Sequence, residues 1–140
     1  MKKLTIIALI LLALDQITKF LLTGKKIILV NKIFELNYST NYGIAFGLFK
    51  DLGFLAIIVS VIIIFLFIYF YKKEQDNLNK AGYALIISGA LGNLIDRAIF
   101  GYVRDFISII SWPTFNLADS FITIGILIVV VNTIKSGKKP

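Results

Sequence analysis

Four long apolar stretches, separated by short polar segments, dominate the hydrophobic pattern of the chain. They cover residues 4–22, 54–71, 81–100 and 116–134. As α-helices rising about 1.5 Å per residue, each is long enough to cross the hydrocarbon core of a membrane, about 30 Å thick. The pattern therefore predicts an all-α membrane protein with four transmembrane helices, in a single integral membrane domain covering residues 1–140.

Two charged residues, Asp15 and Lys19, interrupt the first stretch, and Lys2 and Lys3 precede it. A basic start before an apolar core also resembles a signal peptide, but no small-x-small cleavage pattern follows, so we predict a retained helix. Because Asp15 and Lys19 are four positions apart, they share a helical face and can pair. Either they form a local ion pair with Lys19 extended towards the headgroups, or they bind lipid or brace a site.

The segment between the first two helices, residues 24–52, is the longest outside the membrane. Residues 26–38 are rich in β-branched and aromatic side chains with partial alternation, which predicts a small sheet at the membrane interface. Glycines in the stretch that follows permit close backbone approach, and the amide of Asn41 can donate and accept hydrogen bonds. A plain turn at residues 41–43 explains this motif equally well.

The third stretch carries its polar and small residues on one helical stripe, since they recur at intervals of three and four positions: Gly89, Gly92, Asn93, Asp96 and Arg97. The glycines allow a neighbouring helix to pack closely, and Asp96 with Arg97 could lie buried in a hydrogen-bonded network. Alternatively, these two charged residues merely end the helix at the headgroup level.

The remaining polar positions flank the start of the fourth stretch. Asn116, Asp119 and Thr123 share one face of its first two turns. Asn116 with Asp119 could also be a helix cap with an acid at the third helical position. Asp105 precedes a short interfacial segment ending at Trp112, and could be no more than the N-cap of that segment. Taken singly, each aspartate therefore also has a structural interpretation.

Composition narrows the classes of function. Hydrophobic residues make up 58% of the chain, and its mean hydropathy is +0.87, far too apolar for a soluble domain. Cysteine and histidine are absent, which excludes disulfides, thiolate chemistry and the commonest general base. Carboxylates remain as the plausible proton-transfer groups. The net charge of +7 comes from basic residues beside the apolar spans, which indicates contacts with anionic lipid and no nucleic-acid surface.

The distribution of basic residues predicts the orientation in the membrane. With both termini in the cytoplasm, eight basic residues of the connecting and terminal segments lie inside and five lie outside. In that orientation Arg97, Asp105, Asn116, Asp119 and the first loop all meet at the extracytoplasmic face.

Two carboxylates held close together can hydrolyse a peptide without histidine, cysteine or metal. Both cannot ionise easily, so one keeps its proton while the other accepts a proton from a water that attacks a carbonyl. The pair titrates as a unit. A separation of fourteen positions and a turn containing proline allow Asp105 and Asp119 to approach each other.

The motifs in their order resemble those of the lipoprotein signal peptidases, also called signal peptidase II. The resemblance is carried by D-Q-I-T-K (15–19), N-Y-G-I-A-F (41–46), G-A-L-G-N-L-I-D-R (89–97), V-R-D-F (103–106) and F-N-L-A-D-S (115–120). It implies four transmembrane helices with a small extracytoplasmic β-cradle between helices 1 and 2.

The resemblance also implies an aspartyl endopeptidase of the bacterial plasma membrane. It would act on diacylglyceryl-modified prolipoproteins, cutting before the lipidated cysteine, with membrane lipids as surroundings and no cofactor or metal. We expect a monomer. Asp105 and Asp119 would be the catalytic dyad. Seven further residues would position the substrate or support the dyad: Asn41, Asn93, Arg97, Asn116, Asp15, Lys19 and Asp96.

Two features depart from the family pattern. Arg104 stands immediately before Asp105, where the family more often has an apolar residue, and we expect a nearby cation to favour the charged form of that aspartate. The loop between Asp105 and Asn116 is also short.

Two other classes of function compete with the protease. Ionisable residues in membrane segments also mark the paths of ion- or proton-coupled transport components. A structural subunit could use the same polar stripes to hold helices together. A protease dyad should lie at one interface, whereas a conduction path needs ionisable groups throughout the bilayer.

Overall fold

The computed structural model describes residues 2–31, 33–42, 53–110 and 112–137. Its four helices are α1 (Lys2–Leu22), α2 (Gly53–Lys73), α3 (Asn77–Phe100) and α4 (Leu117–Lys135). Each is long and apolar enough to cross a membrane, which confirms the four predicted transmembrane helices. Residues 43–46 of the N-Y-G-I-A-F motif lie outside the described part of the chain.

Helix α3 is the centre of the bundle and contacts each of the other three helices. In the most apolar 18-residue stretch of α3, 44% of the residues are buried inside the protein, whereas the corresponding fraction is 11% in each of the other helices. The outer helices instead expose large apolar side chains such as Phe20, Phe65 and Leu127. The lipid-facing and protein-facing surfaces are thus divided among helices, as expected where hydrocarbon replaces water.

Two glycines of α3 bring the neighbouring helices close to the polar stripe. A Cβ on Gly89 would collide with the carbonyl oxygen of Ala118 in α4, and one on Gly92 would lie 2.5 Å from a carboxylate oxygen of Asp15 in α1. A side chain at either position would force the neighbouring atoms to move. This close approach sets the polar groups of α1, α3 and α4 within hydrogen-bonding distance of one another.

The end of α3 redirects the chain into a strand. Gly101 adopts a left-handed conformation, with φ of 78°, and its N–H donates to the carbonyl oxygen of Arg97. Glycine is favoured here because it has no Cβ to clash in this conformation. The chain then runs directly into strand β3.

A three-stranded antiparallel sheet caps one end of the bundle, in the order β1 (Lys26–Val30), β2 (Phe34–Asn41) and β3 (Val103–Ile109). The first two strands confirm the sheet predicted in the first loop. The third strand replaces the interfacial segment that the sequence predicts after Asp105. Asp105 lies inside β3, opposite Ser39 of β2, so its interpretation as an N-cap is wrong.

Candidate active site

Asp105 is held in β3 with only 1% of its surface exposed. The side-chain amide of Asn41, at the end of β2, donates to its Oδ2 at 3.1 Å. The side-chain amide of Asn116 donates to its Oδ1 at 2.6 Å. Strand pairing produces this arrangement, because Asn41 pairs with Val103, two positions before Asp105. The structure therefore brings Asn41 to Asp105, which a plain turn would not require.

Asp119 occupies the first turn of α4. Asn116 caps this helix: its Oδ1 accepts from the backbone N–H of Asp119 at 3.0 Å, and Oδ2 of Asp119 accepts from the backbone N–H of Asn116 at 3.2 Å. Oδ1 of Asp119 accepts from the Asn93 amide at 2.8 Å. The capping interpretation is thus confirmed, and the same cap fixes the carboxylate beside the polar stripe of α3.

Asn116 links the two aspartates. Its side-chain nitrogen donates to Oδ1 of Asp105 and, at 3.1 Å, to Oδ1 of Asn93. Its backbone N–H donates to Oδ2 of Asp119, and its side-chain oxygen accepts from the backbone N–H of Asp119. Two residues fourteen positions apart in sequence are therefore bound to a single buried asparagine. The structure therefore brings Asp105 and Asp119 together on either side of Asn116, as the sequence predicted.

Burial raises the pKa of Asp105 to about 7, and the charge of Asp119 contributes to this rise, against the opposing hydrogen bonds from Asn41 and Asn116. Despite the neighbouring Arg104, the neutral form of Asp105 is therefore favoured. Successive residues of a strand point to opposite faces, so the guanidinium turns away and binds Asp96 instead.

A buried ionic network lies beside the two aspartates. Lys19 Nζ is 2.8 Å from Oδ2 of Asp15 and 3.6 Å from Oδ2 of Asp96, and all three side chains are fully buried. It also donates to Oδ1 of Asn93 at 3.0 Å. Extension of Lys19 towards the headgroups is therefore wrong, and the bracing interpretation is supported, since Oδ1 of Asp15 also accepts from the backbone N–H of Ala118.

Asp96 and Arg97 take separate positions. Asp96 is fully buried and accepts from the backbone N–H, Nε and Nη2 of Arg104 at 2.9, 3.1 and 2.8 Å. It does not merely end the helix at the headgroups. Arg97 faces the cavity described below, where the charges of Asp119 and Asp105 act on it.

Two residues of the network were not among the predicted site residues. Arg104 binds Asp96, and Gln16 bridges two elements: its Nε2 donates to the carbonyl oxygen of Gly92 at 3.0 Å, and its Oε1 accepts from Arg104 at 3.1 Å. Gln16 lies within the D-Q-I-T-K motif, next to Asp15, which was the available signal.

A cavity of about 750 Å³ opens beside the polar cluster between α2 and α4. Its polar end is lined by Asp119, Asn93, Asn41 and Arg97. Asp105 lies next to this lining, where it accepts a hydrogen bond from Asn41. The rest of the lining is mainly apolar and includes Ile63 and Phe67 of α2, Ile86 and Ala90 of α3, and Ile122 and Ile126 of α4. Within the described ranges, no cluster of three or more acidic side chains is placed to hold a metal ion.

Four apolar helices enclose a buried polar cluster that lies beside a cavity. These features define a polytopic membrane protein with a candidate catalytic centre. The sequence profile described as Signal peptidase (SPase) II matches residues 7–135. The chain belongs to the signal peptidase II family.

Individual relatives agree with this assignment. A lipoprotein signal peptidase of Thermodesulfovibrio yellowstonii is 46% identical, with 90% of each chain covered. Another, from Halothermothrix orenii, is 42% identical, covering 90% of this chain and 91% of its own. A bacterial membrane enzyme solved by the in meso method at 2.3 Å resolution is 29% identical, covers 99% of this chain and 93% of its own, and superimposes with a TM-score of 0.91.

Family membership establishes a multi-pass membrane peptidase of the lipoprotein signal peptidase type. The transport and structural-subunit alternatives receive no support from these comparisons.

Proposed function

We propose that the chain is an aspartyl endopeptidase in which Asp105 and Asp119 form the catalytic dyad. The observation that carries this proposal is their convergence on Asn116 from a strand and a helix, at the polar end of the cavity. The sequence has neither cysteine nor histidine, so the carboxylates are the available general bases.

The reaction needs one proton on the pair. Burial and the charge of Asp119 raise the pKa of Asp105 to about 7, which lets the pair hold one shared proton near neutral pH. The ionised group takes a proton from water as the water oxygen bonds to the scissile carbonyl carbon. The neutral group gives its proton to the carbonyl oxygen. Collapse of this tetrahedral species breaks the C–N bond. The carboxyl that took the water proton gives it to the leaving amine, and a hydroxyl proton of the tetrahedral species returns to the other carboxylate.

The cavity supports a substrate that is apolar on one side. Its lining between α2 and α4 suits an apolar signal segment, and its polar lining includes Asp119 of the dyad. We propose that the substrate is a prolipoprotein whose cysteine carries a diacylglyceryl group, and that cleavage occurs just before this cysteine. Acyl chains in the surrounding lipid hold the scissile bond at the membrane surface.

The protein resides in the bacterial plasma membrane as a single integral domain, with both termini in the cytoplasm and the dyad at the extracytoplasmic face. This orientation rests on the positive-inside bias of the loops. It works as a monomer among membrane lipids, with no nucleic-acid partner and no cofactor.

Cleavage of a lipidated precursor in detergent micelles tests the dyad. Asp105→Asn and Asp119→Asn should each abolish cleavage, because an amide can neither accept the water proton nor supply an acidic one. Asp76→Asn is the matched control: Asp76 caps α3 at the opposite end of the bundle, and asparagine caps a helix equally well. Appreciable cleavage by either dyad variant, folded as judged by circular dichroism, would contradict the proposal.

A further inference from the structure

Arg104 belongs to the buried network and lies directly before Asp105 of the dyad. Its backbone is held on both sides: its N–H donates to Asp96 at 2.9 Å, and its carbonyl oxygen accepts from Asn116 at 3.4 Å. Its guanidinium binds both carboxylate oxygens of Asp96, donates to Gln16, and lies 4.5 Å from the centre of the Phe100 ring. Residue 104 thus ties β3 to α3 and to α1.

The charges of this network balance. Asp15 and Asp96 are the two anions, Lys19 and Arg104 are the two cations, and all four are buried. Arg104 binds Asp96 closely, at 2.8 Å, whereas Lys19 is 3.6 Å from Asp96 and 2.8 Å from Asp15. With Asp96 neutralised by Arg104, the ammonium of Lys19 can hold Asn93, which in turn donates to Asp119.

We propose that Arg104 is a positioning residue that neutralises Asp96 and keeps the Lys19 ammonium hydrogen-bonded to Asn93. In this way it sets the pH range in which the dyad works. This inference rests on the proposed dyad. Without the guanidinium, Lys19 alone would face two buried carboxylates and would be drawn towards Asp96. One uncompensated negative charge would then stand beside Asp105 and Asp119, and it would favour their protonated forms.

The titratable groups that face Arg104 or the two aspartates come from every neighbouring element: Asp15 and Lys19 of α1, Tyr38 of β2, Asp96 and Arg97 of α3, and Tyr102 before β3. Burial is the main cause, and a hydrogen bond with Tyr102 the next, of the rise in the pKa of Tyr38 to about 12, so this phenol stays neutral. The hydrogen bond to Asp96 raises the pKa of Arg104, which stays charged throughout. The expected pH effect therefore reflects the dyad.

The test measures kcat/KM against pH with a lipidated precursor in detergent. Arg104→Gln should lower kcat/KM and move the acidic limb of the profile to higher pH by about 0.5 to 1 pH unit, the size expected for one uncompensated charge in a buried cluster. Arg104→Lys keeps the charge and should leave the limb in place with a reduced kcat. Lys26→Gln is the matched control, because it removes an exposed cation from the same sheet.

The double variant Asp96→Asn with Arg104→Gln removes both charges together and should return the limb to its original position. An unshifted limb in Arg104→Gln, or a shifted one in the double variant, would overturn the inference. If Arg104→Gln does not fold, the double variant decides, since the inference requires it to fold with an unshifted limb. These results are separable from the dyad test: an inactive Asp105→Asn beside an unshifted Arg104→Gln refutes only the role of Arg104.

Discussion

Replacing Asp105 by asparagine should change how the stability of the protein depends on pH. Asp105 is 1% exposed, and its pKa is raised from 3.8 to about 7. Between these two values the folded state binds a proton that the unfolded state has released, so the free energy of unfolding falls as the pH rises. The stabilisation by this proton is fully present below 3.8, the pKa of Asp105 in the unfolded chain, and it is lost as the pH rises through the folded-state pKa of about 7.

The magnitude follows from the two pKa values. The difference between 3.8 and about 7 corresponds to about 4 kcal/mol of stability lost across this range, at about 1.36 kcal/mol per pH unit. The amide of the Asp105→Asn variant does not titrate, so the variant lacks this loss. It does set a new N–H against the amide donors of Asn41 or Asn116, which costs about 1 to 3 kcal/mol at every pH. The variant should therefore be less stable than the parent in acid and more stable in mild alkali.

Equilibrium unfolding in detergent micelles, followed by far-UV circular dichroism from about pH 4 to about pH 8, measures this crossing. Asp119→Asn is the informative companion, because removing the Asp119 charge lowers the pKa of Asp105 and should narrow the pH range of the effect. A difference between Asp105→Asn and the parent that stays constant with pH would refute the burial argument.

Two further predictions concern the substrate and the packing of the bundle. An unlipidated precursor should be cleaved much more slowly than its lipidated form, because each buried CH₂ of the acyl chains contributes about 0.8 kcal/mol to membrane-side binding; equal kcat/KM values would contradict this. Gly89→Ala should destabilise the protein by about 1 to 3 kcal/mol, because its Cβ would collide with the Ala118 carbonyl oxygen. Ala98→Val, on the exposed face of the same helix, should change the free energy of unfolding little. Equal unfolding midpoints for the two variants would contradict the prediction, since they would show that α4 can shift away from the added methyl group.

Much of the fold is visible in local patterns. The four apolar runs predict four membrane helices, because hydrocarbon forces each backbone to satisfy its own hydrogen bonds. The polar stripe of α3, containing Asn93 and Asp96, follows from a period of 3.6 residues. The absence of cysteine and histidine left only carboxylates for proton transfer.

The tertiary structure decided what local patterns do not contain. Strand β3 forms because Gly101 turns the chain back along β2, and this pairing places Asp105 beside Asn41. The partner of Asp96 proved to be Arg104 across that turn, and not the adjacent Arg97. Ion pairs and strand registers join residues distant in sequence, so their geometry depends on how closely the elements pack. The sequence by itself determined which residues could do chemistry, and the packing of α1, α3, α4 and β3 determined which of them meet.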